Sequence, residues 1–241
     1  MAPIQQLTRK RAECLLYWSV VEHHRWWISF DGPIWKRVND VATPLNGCDV
    51  LLIALQYSVF NDIVLKPTPP ESIAKGIRDL AKVWPDTLEC RAESCIATAN
   101  TLAQNGHTRG SQRSMVTKLI WFLKPNNWTM FDKNARLAFG IRDRTETGMK
   151  RFYRELENWG FSEQAREISE TLNGAALSEL FGERVLDKLL WLLGAEKDTC
   201  RNAIERCEAF LNTLDDSHRR ELTAAAKAVS RRHAVAIVPS N

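Results

Sequence analysis

No window of the sequence approaches the roughly 18 consecutive apolar residues of a membrane span. The opening MAPIQQLTRKRAE has no apolar stretch behind its charges to act as a signal peptide. A soluble, intracellular and cytoplasmic protein is therefore expected. Six cysteines (Cys14, Cys48, Cys90, Cys95, Cys200, Cys207) are too few and too scattered for a disulfide framework, no CxxC pair occurs, and the thiols are expected to stay reduced. There is no P-loop, no GxSxG and no dinucleotide-binding glycine fingerprint. His23-His24 and His107 have no carboxylate or cysteine at ligand spacing, so neither a metal nor another cofactor is inferred. Alternating apolar and polar runs are also missing, and VAIVP (235–239) is the only short strand candidate.

What is present is helical periodicity. Apolar residues recur at spacings of three and four through 8–24, 46–60, 71–84, 86–104, 111–124, 147–158, 163–180, 183–193, 197–213 and 216–232. Pro70 and Pro85 stand where first turns would begin, Pro125 ends the helix before it, and Gly106, Gly160 and Gly194 follow apparent C-termini. An all-α fold of about ten helices in two lobes follows. With 241 residues, 44% of them hydrophobic, the chain can bury a sizeable core. The cluster Lys66-Pro67-Thr68-Pro69-Pro70 cannot continue a helix and marks the best internal boundary. It separates a tryptophan-rich N-terminal lobe (1–66) from a longer helical core (67–214). Beyond 215, the alanine- and arginine-rich HRRELTAAAKAVSRRHAVAIVPSN suggests a peripheral helix and a loose tail.

Net charge is only +4, but it is unevenly spread. Between Arg109 and Arg154 eleven basic residues face three acidic ones. Such an excess either creates the positive field a polyanion needs or is balanced in space by acidic helices elsewhere. The most informative stretch lies inside it: RGSQRSMVTKLIWFLKPNNWTMFDKNARLAF, residues 109–139. At 100° per residue, Val116, Leu119, Ile120 and Leu123 share one stripe, while Ser111, Ser114 and Lys118 lie nearly opposite. On sequence alone Lys118 reads most simply as a surface lysine. Asp132, just before the helix-like KNARLAF, reads most simply as an N-cap.

This stretch resembles the catalytic core of the helix-hairpin-helix (HhH-GPD) DNA glycosylase superfamily, in particular its 8-oxoguanine glycosylase (Ogg-fold) branch. Thr117-Lys118 stands where that family has the Thr-Lys of its hairpin, and Met130-Phe131-Asp132 stands where it has PVD. In ERVLDKLLWLLG, Arg184, Asp187, Trp191 and Gly194 resemble the closing helix of small bacterial Ogg-fold proteins. Together the matches span about residues 70–194. The family's glycines immediately ahead of the lysine are absent, with Gly110 eight residues upstream, and only 14 residues separate Lys118 from Asp132. The iron-sulfur branch does not fit, since no cysteine follows Cys207.

The resemblance implies a DNA glycosylase acting on double-stranded DNA, nucleoid-associated when bound, with Asp132 and Lys118 catalytic. Cleaving the base-sugar bond passes through an oxocarbenium-like sugar, which a carboxylate such as Asp132 would stabilise. A deprotonated Lys118 would attack the sugar carbon, form a Schiff base and add AP lyase activity; a protonated one would serve electrostatically. The expected DNA-contacting set is Arg109, Ser111, Arg113, Ser114, Lys124, Lys133 and Arg136. A flipped base needs aromatic walls and a polar edge, for which Trp26, Trp27, Trp128, Trp191 and Asp187 are the candidates. Tyr57 and Asn61 are candidates for the wedge that fills the vacated stack. The implied substrate is oxidised guanine or a hypermodified base such as a glucosylated phage cytosine, the latter in anti-phage defence. The alternatives are a non-catalytic reader of modified or damaged DNA and an all-α protein-interaction domain.

Overall fold

A computed structural model describes residues 1–40, 42–63, 70–175 and 177–238, and every regular element among them is helical. They form two compact units: Met1–Ser29, Asp132–Arg144 and Glu155–Asn241 make the first, Phe30–Phe131 and Thr145–Arg154 the second. The boundary expected at Lys66-Pro67 lies outside the described residues. No helix among the described residues is long and apolar enough to cross a membrane.

The first unit holds α1 (Arg9–Trp26), α7 (Lys133–Ala138), α9 (Phe161–Gly174), α10 (Gly182–Gly194), α11 (Lys197–Thr213) and α12 (Asp216–Ile237). Its centre is α10, which packs on α1, α7 and α9 and is buried continuously from Gly182 to Leu190. Glycines at both ends permit that closeness. A Cβ at Gly182 would overlap the Ala165 carbonyl of α9, and one at Gly194 would overlap the Asn134 carbonyl and lie 2.7 Å from the Ala138 amide of α7. Thr8 caps α1 by accepting from the Arg11 amide, and Asp215 caps α12 by accepting from Ser217 and His218.

The C-terminal segment is more deeply placed than its composition suggests. All 22 residues of α12 are helical, and Leu222, Ala225, Ala226, Val229, Ala234 and Ile237 face inward as it packs on α1 and α9. Residues 235–237 of the strand candidate are the last turn of this helix.

The second unit holds α2 (Gly32–Val38), α3 (Gly47–Gln56), α4 (Glu71–Lys82), α5 (Leu88–Gln104), α6 (Arg113–Trp121) and most of α8 (Glu146–Asn158). Periodicity does not mark α2: a five-residue π-turn, Trp27–Asp31, carries the chain from α1 into it, and Pro33 sits in its first turn, where no amide is needed. Asn46 and Asp49 cap α3 reciprocally, and Thr87 caps α5 through the Cys90 amide. In α4, Ile73, Ala74, Ile77 and Leu80 form the buried stripe. The α5–α6 connection turns on two glycines at positive φ, Gly106 (72°) and Gly110 (76°). Its far side is tied down by a β-bridge between Ile63 and Thr108 and by the Arg109 amide donating to the Asp62 carbonyl at 2.9 Å.

Gly194→Ala is expected to destabilise the protein by about 1–3 kcal/mol, because α7 and α10 cannot separate without opening the core. Gly174→Ala, with open space around it, should shift stability far less. Chemical denaturation of both variants checks the pair, and equal midpoints would contradict the close α7–α10 approach.

Candidate active site

Helix α6 is the structural key to the second unit. Every side chain from Met115 to Trp121 is buried, since α3, α4 and α5 all pack on it. The polar face expected opposite Val116 and Leu119 is therefore no surface, and Lys118 is 5% exposed. Its Nζ donates to the Tyr57 carbonyl at 3.4 Å and lies 5.8 Å from the centroid of the Tyr57 ring. Tyr57 is held in turn: its hydroxyl donates to Oδ1 of the buried Asp31 at 2.8 Å, and its ring packs edge-on against Phe30 and Phe122, each at 6.3 Å. Asp62 completes the surroundings. Burial pushes its carboxyl above the usual range, against the opposing pull of Lys118 and Arg109.

The loop after α6 is fixed just as firmly. Thr117 Oγ1 donates to the Ser114 carbonyl (2.9 Å) and accepts from the Phe131 amide (3.0 Å), while the Trp128 indole donates to the Thr117 carbonyl (3.3 Å). Trp128 stacks on Tyr153 at 4.4 Å, and the Tyr153 hydroxyl donates to the Thr129 carbonyl at 2.8 Å. Arg91 bonds the carbonyls of Pro85, Asn126 and Asn127. In the first unit Asp132 opens α7 as its N-cap, accepting from the Asn134 amide at 2.9 Å, and its side chain is half-buried.

Several expected site residues have structural work instead. Trp128 is fully buried and has no face for a base. Trp27 is 4% exposed and packs edge-on against Phe181 at 5.5 Å. Arg136, expected on DNA, is 9% exposed and closes the turn after α7 by donating to the carbonyls of Ile141, Arg142 and Asp143. Asp187 is buried in an ion pair with Arg184. Tyr57, a wedge candidate, is half-buried, with its hydroxyl bonded to Asp31 and its carbonyl to Lys118. Asn61, Arg109 and Lys133 are exposed, and Ser111, Arg113, Ser114, Lys124, Trp26 and Trp191 are half-buried. Arg113 donates to Ser111 Oγ at 2.9 Å.

Sequence patterns pass over Asp31 and Asp62, and with them a buried polar cluster in the first unit. There Glu22 accepts from Arg25 (2.8 and 2.9 Å), from the Trp26 indole (2.8 Å) and from the Cys207 thiol (3.2 Å). Lys188 Nζ stands 4.2 Å from the Trp26 ring centroid. Burial opposes the Glu22 charge, yet Arg25 and Lys188 together hold its carboxyl below the ordinary value. Beside it, His23 Nε2 accepts from the Phe181 amide at 3.1 Å, which fixes that nitrogen as unprotonated. Glu22 and His23 lie on the buried face of α1, where a search for apolar periodicity does not register them.

The chain matches no known protein family, no curated protein and no solved structure. What the residues offer chemically is a primary amine in a protein interior, bounded by a carbonyl, an aromatic ring and a carboxyl group. Such an amine acts as a nucleophile when neutral and as a fixed positive charge when protonated.

Full burial, with Arg184 and Lys188 nearby, depresses the His23 pKa well below its usual value. Only the unfolded chain takes up that proton as pH falls through about 6.5, so this contribution is complete above 6.5 and lost below it. Unfolding free energy is expected to drop between pH 7 and pH 5 by up to about 1.4 kcal/mol per pH unit from this group. His23→Gln, which keeps an acceptor for the Phe181 amide, should flatten the slope in denaturant titrations. An unchanged slope would show that His23 is not the group responsible.

Proposed function

We propose that the chain is a DNA glycosylase that releases a flipped, damaged or modified base and leaves an abasic site. The observation that carries the reading is Lys118: a lysine is expensive to bury, and this one sits within Met115–Trp121, buried throughout, and is held by Tyr57. Two further features support it. The connection from α5 to α6 uses two left-handed glycines, Gly106 and Gly110, although they stand twelve and eight residues ahead of the lysine and not immediately before it as in the family. Of the basic excess from Arg109 onward, Lys150 and Arg154 pair with Glu93, Glu146 and Glu89, while Arg109, Lys133, Arg142 and Arg144 are exposed and suited to phosphates.

In this reading the family resemblance gives the Asp132 carboxylate, in the first unit, the role of stabilising positive charge on the deoxyribose as the base departs. Where Lys118 acts as a free amine it attacks the sugar carbon, the N-glycosidic bond breaks with its electron pair leaving on the base, and loss of the amine proton gives a Schiff base after ring opening; where it acts as a cation it serves electrostatically and the base alone is released. Tyr57 positions the lysine and Asp31 positions Tyr57. Of the tryptophans expected at the base, Trp26 and Trp191 are half-buried, and Trp26 already meets Lys188 on its ring and Glu22 through its indole. Oxidised guanine and glucosylated cytosine are the substrates proposed.

The test is incubation with duplexes carrying 8-oxoguanine, uracil or phage-type modified cytosines, scoring abasic sites and borohydride-trapped protein. Asp132→Asn is expected to lower base release by at least about 100-fold while DNA affinity stays within a few-fold, as removal of an electrostatic stabiliser does. Lys118→Gln should abolish trapping. Salt-sensitive binding without abasic sites on any of these DNAs would favour a reader of modified DNA instead.

A further inference from the structure

The outer face of α12 is a basic ridge. Arg220, Lys227, Arg231 and Arg232 are exposed along it, with Ala224 and Ala228 between them, and no acidic residue follows Glu221 to the end of the chain. Neighbouring helices neutralise such charges internally: Arg166 of α9 pairs with Glu163 and Glu170, and Arg201 of α11 pairs with Asp198 and Glu205. Among the described residues, the lysine and arginines of α12 pair only in the first turn, where Arg219 meets Asp216; farther along, Glu167 of α9 faces His233 at 3.6 Å. Arg220, Lys227, Arg231 and Arg232 make no ion pair with a described residue. Lys227 and Arg231, four residues apart, repel one another, which works against the helix. The helix dipole does not account for the placement either, because the last turn, where it would favour cations, carries no basic residue.

We infer that this ridge binds the phosphate backbone of duplex nucleic acid, as a contact separate from the candidate active site. From Arg220 to Arg232 it runs about 18 Å along the helix, equal to the rise of about five base pairs along a duplex axis. Alanine between the basic side chains lets the helix backbone approach a phosphate row closely. The exposed face suits other partners poorly. Its only large apolar side chain is Val235, and the apolar side of α12 is already spent on the core, so the helix cannot lie in a lipid surface. It also lacks the aromatic anchors around which protein interfaces concentrate their affinity. Contacts of this kind position a protein on DNA without reading sequence, so the ridge adds affinity and not base choice.

The inference shares a nucleic-acid partner with the proposed function but stands on α12 alone, and binding tests it without any base release. The full chain is titrated with a labelled, unmodified duplex by fluorescence anisotropy at several salt concentrations between about 50 and 200 mM. The ridge variant Lys227→Gln/Arg231→Gln/Arg232→Gln is compared with a charge-matched control, Lys36→Gln/Lys82→Gln/Arg206→Gln, whose residues are exposed elsewhere. The ridge variant is expected to bind at least about tenfold more weakly at the lowest salt. Its log-log salt slope should fall by about 2.7, with about 0.9 for each of the three phosphates that the protein ceases to neutralise. The control should stay within about twofold of wild type, and Arg231→Lys/Arg232→Lys should keep the wild-type slope, since a point charge suffices for a phosphate. A ridge variant with the wild-type slope would overturn the assignment. So would absence of duplex binding by the wild type, or an effect of the variant confined to anionic phosphatidylserine vesicles. Ridge-dependent binding with no base release from any DNA would keep this assignment while ending the glycosylase reading.

Discussion

The second unit depends on a helix with no solvent side. A short helix such as α6 is marginal by itself, and nucleating it costs more than its few hydrogen bonds return. It persists because α3, α4 and α5 enclose it. Enclosure then dictates everything polar nearby: Thr117 spends both its hydroxyl functions on the backbone, the Trp128 indole finds a carbonyl, and Lys118 takes the Tyr57 carbonyl and ring. A buried donor without an acceptor would cost about 1–3 kcal/mol, so these partners are conditions of the fold.

The first unit solves a related problem with charge. Its central helix α10 buries Arg184, Asp187 and Lys188 beside its leucines. Arg184 pairs with Asp187, and Lys188 meets the face of Trp26, whose indole is bonded to Glu22. Replacing such networks with apolar residues is often neutral or stabilising, whereas removing one partner typically costs about 3–5 kcal/mol. Their value therefore lies more in fixing a single arrangement of α1 against α10 than in added stability.

The helices are largely legible in the sequence because each needs an apolar stripe, a cap or a glycine stop that local residues supply. Asp132 as N-cap and the stripe of α4 are examples. Helix α2 is not, since seven residues after a π-turn leave too little periodicity to read. The fate of Lys118 is not legible either: its own helix gives it a polar face, and the residues that cover that face come from a segment some sixty positions earlier. Trp128 looks accessible in the sequence because loops generally run over the surface, yet Arg91 and Tyr153 anchor this loop from elsewhere in the chain. Asp31 and Asp62 carry no local signal at all, because their importance arises only once Tyr57 and Lys118 are in place.

The division of the chain between the units also orders their formation during synthesis. All of the second unit lies within Phe30–Arg154, so its helices can collapse together while later residues are still being made. The first unit is built from both sides of that segment and from Asp132–Arg144 within it, and α1 has its chief neighbours, α10 and α12, more than 150 residues downstream. Until those helices emerge, the apolar face of α1 has none of its own partners. Between the emergence of Arg154 and that of α10 and α12, a nascent chain therefore carries one finished unit and one exposed helix, the stage at which chaperone capture or self-association competes most strongly with folding.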